Sequence, residues 1–114
     1  MTTILVCGGR DYANYSFVCE TLDSAREHYG NVVIVQGGAR GADRLAKAWA
    51  VARGIPCVEI AANWDFYGKR AGSLRNQWMF DIMKPSVCVA FPGGVGTANM
   101  VSICEKAGIF VKKL

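Results

Sequence analysis

The chain has 114 residues, of which 52% are apolar and 19% are charged, and its formal net charge is +4. These values are typical of one globular domain with one hydrophobic core, spanning residues 1–114, and they exclude an intrinsically disordered chain. No apolar run reaches the roughly 20 residues that a membrane helix needs, and the first residues do not resemble a signal peptide. We therefore expect a cytoplasmic protein that has no membrane partner and that favours anionic ligands.

Five cysteines are spread along the chain without a C-x-x-C pair. An odd number at wide spacing supports neither a disulfide framework nor a metal site, so no metal ligand is predicted. Their apolar neighbours favour packing as small hydrophobic side chains. The single histidine, His28, lies on a polar helix face, so neither a Ser-His-Asp nor a Cys-His catalytic arrangement is indicated.

Five short apolar runs predict β-strands, at residues 4–7, 32–35, 56–60, 86–91 and 109–111. They are apolar throughout instead of alternating with polar residues, which is typical of strands buried on both faces of a parallel sheet. Segments with helical periodicity separate the strands, and right-handed crossovers are the rule in such sheets. We therefore predict a Rossmann-like, doubly wound α/β fold with strand order 3-2-1-4-5 and helices on both faces.

Four helices are predicted from apolar residues at spacings of three and four. Residues 63–72, ahead of the third helix, lack this periodicity and are predicted to form a loop, whereas Thr97 is predicted to cap the fourth helix. If the apolar stripe of the third helix faces the core, Arg75 and Asn76 lie off that stripe, where they can point along the carboxyl edge of the sheet towards a ligand or lie on the solvated surface. The four apolar stripes consist of Val18, Leu22, Ala25 and Tyr29; Ala42, Leu45, Ala46 and Trp49; Leu74, Trp78 and Ile82; and Val101 and Cys104.

Glycine pairs follow three of the predicted strands, and in a parallel sheet these loops lie at the same carboxyl edge. Without a Cβ the backbone can approach a ligand closely, and a helix that starts directly afterwards points free N–H groups at that ligand. Tight turns alone also use glycine, but three such loops at one edge, two of them with an arginine, favour a binding site. The candidate ligand-binding residues in these loops are Gly8, Gly9, Arg10 and Asp11; Gly37, Gly38, Ala39, Arg40, Gly41 and Asp43; and Pro92, Gly93, Gly94, Gly96 and Thr97.

Further candidates lie outside the glycines. Lys69, Arg75 and Asn76 bring basic and amide groups to the start of the third helix. Asp43 can meet a ligand hydroxyl or can stabilise the positive end of its own helix, and the aromatic residues in segment 64–67 can stack on a base or pack within their loop. No loop has the G-x-x-x-x-G-K-S/T pattern and the first is no G-x-G-x-x-G, so classical NTP hydrolysis and dinucleotide binding lose support.

Four blocks of the chain, residues 8–12, 37–43, 64–76 and 91–97, resemble in order the SLOG superfamily. The closest match is its branch of small, stand-alone YspA-like proteins, which are related to YpsA. The resemblance spans nearly the whole chain. It implies a Rossmann-like fold and the binding of nucleotides or nucleotide-derived ligands, such as nucleoside phosphates or relatives of NAD and ADP-ribose.

The same superfamily includes the LOG-type phosphoribohydrolases, which cleave the base from a nucleoside monophosphate. Their signature combines an arginine ahead of the fourth strand with P-G-G-x-G-T-x-x-E. Arg75 falls at the arginine position and residues 92–97 match the loop, but Met100 occupies the glutamate position. A thioether can neither act as a base nor stabilise an oxocarbenium-like charge. Arg75 and Asp43 remain the catalytic candidates, with Asp11 as another carboxylate that could replace the glutamate.

Three functions stay open at this point. The first is a sensor or sequestering module for a nucleotide-like molecule, and the second is an N-glycosidic phosphoribohydrolase. The third is binding of single-stranded DNA, as in the related Rossmann domain of the DNA-processing protein A, although the basic residues lie among pocket-forming glycines and not along a stripe. No cofactor is required, although Mg²⁺ can accompany phosphates. Apolar helix faces on a small domain, and the dimers of LOG-type relatives, predict a homo-oligomer.

Overall fold

The computed structural model describes residues 1–114 as a five-stranded sheet with five α-helices. None of the helices is both long and apolar enough to cross a membrane. A 3-10 turn connects the third and fourth helices. The elements in chain order are β1 (Thr2–Cys7), α1 (Tyr15–Tyr29), β2 (Val32–Gln36), α2 (Ala42–Arg53), β3 (Cys57–Glu59), α3 (Trp64–Tyr67), the 3-10 turn (Gly68–Arg70), α4 (Ala71–Met83), β4 (Val87–Ala90), α5 (Val95–Lys106) and β5 (Phe110–Lys113).

All strand pairs are parallel, and the order across the sheet is β3-β2-β1-β4-β5. Strand β1 lies at the centre, where Ile4 is aligned with Ile34 of β2 on one side and with Val87 of β4 on the other. The predicted α/β fold and its strand order are therefore confirmed. The strand ends differ from the predicted ones by one or two residues, which is ordinary for boundaries inferred from apolar runs.

The central strand sends alternate side chains into two hydrophobic layers, one on each face of the sheet. Ile4 belongs to the layer that includes Trp49 of α2, whereas Leu5 belongs to the layer that includes Met79 of α4 and Met100 of α5. The side chains of Ile4 and Leu5 are both fully buried. Each such burial contributes roughly 1.5–3 kcal/mol, which favours apolar residues in strands that are covered on both faces. Gln36 at the end of β2 is also fully buried, and its amide donates a hydrogen bond to Glu59 at 3.0 Å.

The loop predicted over residues 63–72 is wrong for most of its length. Asn63 accepts a hydrogen bond from the Phe66 N–H at 3.1 Å and so caps α3, the 3-10 turn follows, and α4 begins at Ala71. A helix of four residues is too short to produce an apolar period, so periodicity could not reveal it. The N-cap asparagine was the available signal.

The apolar stripe predicted for α4 does not face the core. Trp78 is 40% exposed and Ile82 is 68% exposed, while the buried positions of this helix are Ala71, Asn76 and Met79. Helix α4 carries apolar residues on several faces, so a spacing of four does not identify the buried face. The contact of α4 with the sheet and with α5 selects the other face. The homo-oligomer expected from apolar helix faces stays a prediction.

The five cysteines are free thiols, three of them buried. The Sγ atoms of Cys7 and Cys88 lie 3.9 Å apart in the layer below α5. A hydrogen bond with Cys88, followed by burial, raises the pKa of Cys104, and burial raises that of Cys57. These shifts disfavour the thiolate form, which fits packing rather than reactivity.

Candidate ligand-binding site

The carboxyl end of β1 and the loops that follow β2 and β4 border a cavity of about 580 Å³. Strands β1 and β4 are neighbours from which the chain continues outward in opposite directions, so the cavity lies at the topological switch point, where open α/β sheets bind ligands. Segments from all three glycine loops and from the start of α4 line it. The predicted residues among the lining are Gly8, Gly9, Arg10, Gly37, Ala39, Asp43, Lys69, Arg75, Asn76, Gly94, Gly96 and Thr97.

The remaining predicted residues lie outside this cavity. Gly38 and Arg40 line a smaller adjoining cavity of about 310 Å³. Asp11 is exposed on the loop after β1. The predicted residues that line neither cavity are Asp11, Gly41, Pro92 and Gly93.

Gly9 connects the three glycine loops by backbone hydrogen bonds. Its N–H donates to the Pro92 carbonyl at 2.8 Å, and its carbonyl accepts from the N–H groups of Ala42 at 3.1 Å and Tyr12 at 3.2 Å. Gly41 has a φ of +75°, and a Cβ on this residue would overlap the Gly9 carbonyl. Only glycine permits both this backbone conformation and this approach, so Gly41 fixes the distance between two of the loops although it does not line the cavity.

Two helices begin at the cavity without a side-chain cap. Helix α5 follows Gly94 and α2 follows Gly41, and at neither N-terminus does a capping side chain accept a hydrogen bond from an N–H group of the first turn. By contrast, α1, no residue of which lines the cavity, is capped by Asn14, whose side chain accepts from the Phe17 N–H at 3.1 Å. The first-turn N–H groups of α5 therefore remain available, whereas in α2 the Ala42 N–H already donates to the Gly9 carbonyl and Asp43 lies in the first turn. Both helix dipoles favour an anion at the cavity.

The prediction that Thr97 caps α5 is wrong. The helix begins at Val95, so Thr97 lies within its first turn, and Gly94 takes the N-cap position with φ −103° and ψ −138°. The Thr97 hydroxyl lies so close to Gly93 that a Cβ on that glycine would overlap it. Thr97 still lines the cavity. It therefore adds a hydroxyl donor beside the free N–H groups of α5.

Arg75 reaches from α4 to the loop after β2. Its Nη1 donates to the Gly37 carbonyl at 2.6 Å and its Nε donates to Asn76 Oδ1 at 2.9 Å. A side chain on Gly37 would overlap the guanidinium. Burial lowers the pKa of Arg75; the negative charge of Asp43 opposes this shift, and the positive charge of Arg10 adds to it. The guanidinium nevertheless remains charged at neutral pH. The cavity thus holds an anchored positive charge with donors left for an anion.

Asp43 is the one carboxylate among the residues that line the cavity. It is 6% exposed, and its Oδ2 accepts the Ala39 N–H at 3.1 Å. Burial raises the pKa of Asp43, while that hydrogen bond and the charge of Arg75 counter the shift. Asp43 holds the second glycine loop and stabilises the first turn of α2, and it also faces the cavity. The structure is consistent with both interpretations of this residue.

Asn76 and Met100 occupy the part of the cavity formed by α4 and α5. The Nδ2 of Asn76 donates to the Gly96 carbonyl at 3.2 Å and to Asn99 Oδ1 at 2.9 Å, which ties the first turn of α5 to α4. Met100 is almost fully buried and lines the cavity where the resemblance to LOG-type enzymes places a carboxylate. Helix α5 therefore offers donors to this cavity but no acid or base.

Trp64 is the aromatic residue of segment 64–67 that lines the cavity. Its ring is 47% exposed, and the Arg10 guanidinium lies 5.2 Å from the ring centroid. The rings of Phe66 and Tyr67 lie 4.7 Å apart and pack against each other. One aromatic side chain is thus available for stacking, whereas the other two pack locally.

Sequence reasoning missed several residues of the lining. Asn99 lies three positions after Gly96, a spacing that places both on one face of a helix, and this was a usable signal. Gly72 and Ser73 stand inside the basic segment ahead of Arg75 but carry no signal of their own. The missed lining residues are Val6, Cys7, Gly72, Ser73, Met79, Val95, Asn99 and Met100; Trp64 also lines the cavity, and the sequence had left stacking and loop packing both open for it.

Comparison with known proteins supplies both a relative and a fold. The chain is 37% identical to the gene 61 protein of Mycobacterium phage D29 over an alignment of 118 positions, which covers 96% of this chain and 93% of the relative. It is also similar to the X-ray structure of TM1055, a structural genomics target, with a TM-score of 0.75 over 97% of this chain and 72% of that chain. Sequence identity there is 17%, so this likeness shows the fold alone. Residues 2–67 match the model of the YspA, cpYpsA-related SLOG family. The chain therefore belongs to the YspA and cpYpsA-related SLOG family.

Proposed function

We propose that the protein binds a nucleotide or nucleotide-derived small molecule in the 580 Å³ cavity and serves as a sensor or sequestering module for it. The observation that carries this proposal is the convergence of two uncapped helix N-termini and the anchored guanidinium of Arg75 on one cavity. Ligand pockets measure roughly 300–1,000 Å³, so the volume suits a nucleoside phosphate or a relative of ADP-ribose.

The phosphate is proposed to lie at the N-terminus of α5. The first-turn N–H groups and the Thr97 hydroxyl are donors there, and Arg75 adds charge. No atom lies within 4 Å of the positions that a Cβ would take on Gly94 and Gly96, so the backbone is open to a ligand. Magnesium is not required by this arrangement, although it can accompany ligand phosphates.

The nucleoside is proposed to extend from α5 towards β2. The half-exposed ring of Trp64 offers a surface for stacking on a base. The Asp43 carboxylate can accept a hydrogen bond from a ribose hydroxyl, because its single hydrogen bond to Ala39 leaves acceptor sites free. Neither of these contacts depends on which base the ligand carries, so the other residues that line the cavity would select the base.

Binding without turnover is favoured because Met100 replaces the catalytic glutamate of the LOG-type signature. N-glycosidic hydrolysis is a second candidate on one observation, the buried carboxyl of Asp43 that lines the cavity and whose pKa is raised by burial. The Asp43 carboxyl, which lies on α2, would have to take the catalytic role of the LOG-type glutamate, whose position on α5 is occupied by Met100. Release of free base therefore distinguishes the two candidates.

The first experiment is a mass-spectrometric search for small molecules released from the purified, gently denatured protein. Isothermal titration with nucleoside phosphates, NAD and ADP-ribose then gives affinities. Arg75→Gln removes the guanidinium charge of this residue from the cavity. It should weaken binding by about tenfold or more, because one charge-assisted hydrogen bond is lost. Lys112→Gln is the control, because Lys112 is exposed on β5 and loses the same charge away from the cavity.

A protein that releases no such molecule and binds none of the tested compounds contradicts the proposal. Recovery of free base or ribose phosphate, abolished by Asp43→Asn, promotes hydrolysis above binding. Affinity for single-stranded oligonucleotides that falls steeply with salt would instead support the DNA-binding alternative.

A further inference from the structure

A second cavity of about 310 Å³ adjoins the first, beside the loop after β2 and the start of α2. More than half of the arginines in the chain line it, and none of its lining residues is acidic. We call it the arginine cleft. Its four arginines are Arg10, Arg40, Arg44 and Arg75.

None of these four arginines forms an ion pair. The three salt bridges of the protein involve other cations. Glu59 lies beside the cleft next to Gly38, but its carboxylate accepts from Gln36 Nε2 at 3.0 Å and pairs with Lys47 at 3.6 Å. No carboxylate therefore pairs with an arginine of the cleft at ion-pair distance. The charge of Asp43 opposes the lowering of the pKa of Arg75 that burial causes, but Arg10 adds to it. An anion in the cleft would relieve this repulsion.

The two cavities adjoin, because five residues line both of them. The first turn of α5 borders only the larger cavity, whereas Arg40 and Arg44 border only the smaller one. Trp64, with Arg10 stacked on its ring, stands where the two meet. The residues that line both cavities are Arg10, Gly37, Ala39, Trp64 and Arg75.

We propose that the arginine cleft binds a second phosphoryl group of the same ligand, so that the ligand is a nucleotide with two phosphoryl groups, one at α5 and one among the arginines. This inference rests on the proposed function and names its ligand class. Guanidinium groups bind phosphoryl oxygens bidentately, and a phosphate monoester carries close to two negative charges at neutral pH. A singly phosphorylated nucleotide leaves the cleft unfilled.

The test compares singly and doubly phosphorylated forms of the same nucleoside by isothermal titration at constant ionic strength. The probes are the 5′-monophosphates, 5′-diphosphates and 3′,5′-bisphosphates of adenosine, guanosine, cytidine and uridine. The variant is Arg40→Gln/Arg44→Gln, because both side chains are exposed and belong to the cleft alone. The matched control is Arg26→Gln/Lys112→Gln, which loses the same charge at exposed positions outside both cavities.

For the wild type and the control we expect one doubly phosphorylated nucleotide to bind about tenfold or more tightly than its monophosphate, as two charge-assisted hydrogen bonds allow. In Arg40→Gln/Arg44→Gln that ratio should fall to about one. An equal ratio in this variant and in the control overturns the inference, as does a wild type that does not discriminate.

Three further outcomes test this inference against the proposed function. Binding of monophosphates without a gain from the second phosphoryl group leaves the proposed function intact and refutes only the inference. No binding of any nucleotide refutes both. Binding of a single-stranded oligonucleotide that Arg40→Gln/Arg44→Gln abolishes, with nucleotide affinities unchanged, assigns the cleft to nucleic acid and also refutes the inference.

Discussion

Replacement of Gly41 by alanine tests the close packing of the glycine loops. Gly41 has φ +75° and ψ −127°, and a Cβ there would overlap the backbone of Gly9 and Arg10. Gly30, at the end of α1, has nearly the same conformation, with φ 79° and ψ −124°, but no atom lies within 4 Å of its Cβ position. Gly30→Ala therefore measures backbone strain alone, whereas Gly41→Ala adds a collision between two loops.

The expected difference follows from these contacts. Strain from an alanine in this backbone region costs roughly 1–3 kcal/mol and is common to both variants. Relief of the collision at residue 41 moves the loops apart, which breaks the 3.1 Å hydrogen bond from Ala42 to Gly9 at about 1 kcal/mol. The accompanying backbone shifts cost about 1–3 kcal/mol. Gly41→Ala should therefore lose about 2–4 kcal/mol more unfolding free energy than Gly30→Ala.

Urea unfolding followed by far-UV circular dichroism measures this difference through linear extrapolation. For a slope of about 1.5 kcal/mol per molar urea, the two midpoints should differ by about 1.3–2.7 M. Equal midpoints for the two variants would refute the reasoning, because the loops would then tolerate a side chain between them. Gly41→Ala should also weaken ligand binding, whereas Gly30→Ala should not.

Two further variants address buried polar groups at the site. Asn76→Ala should lose about 2–3 kcal/mol in the same urea titration, since Arg75 Nε and the Gly96 carbonyl lose their partner, and an unchanged midpoint would contradict this. Asp43→Asn keeps an acceptor for the Ala39 N–H but removes a buried charge. Because the pKa of Asp43 is raised above its ordinary value of 3.8, wild-type stability should fall relative to this variant as the pH rises above 3.8. Unfolding free energies at about pH 3 and pH 7 measure the change, and a constant difference between the proteins would argue against a raised pKa.

The fold could be predicted from the sequence because its signals are local and redundant. Segments 4–7 and 32–35 are apolar at every position, whereas a half-exposed strand needs apolar residues only at alternate positions. Each segment is followed by glycines and then by residues with helical periodicity. The connection rules of parallel sheets then leave few strand orders. The same glycines located the cavity, since parallel strands bring their carboxyl ends to one edge whatever the side chains.

The details of α4 could not be predicted in this way. Leu74, Trp78 and Ile82 form an apolar stripe as regular as any in the chain, yet Trp78 and Ile82 are exposed while Asn76 is buried. Burial of Asn76 is possible because Arg75, Gly96 and Asn99 satisfy its amide, and Gly96 and Asn99 lie about twenty residues away in sequence. No local pattern encodes such a network.

The sequence by itself determined the α/β class, the strand order and the edge at which the glycine loops meet. Only the tertiary structure decided that Gly41 positions the loops without lining the cavity and that Trp64 lines the cavity while Phe66 and Tyr67 do not. It also decided that four arginines from three segments converge with no carboxylate at ion-pair distance. The physical reason is the range of the interactions. Hydrophobic periodicity and turn chemistry act between near neighbours in the chain, whereas charge compensation, loop contacts and the choice of a buried helix face depend on residues that only folding brings together.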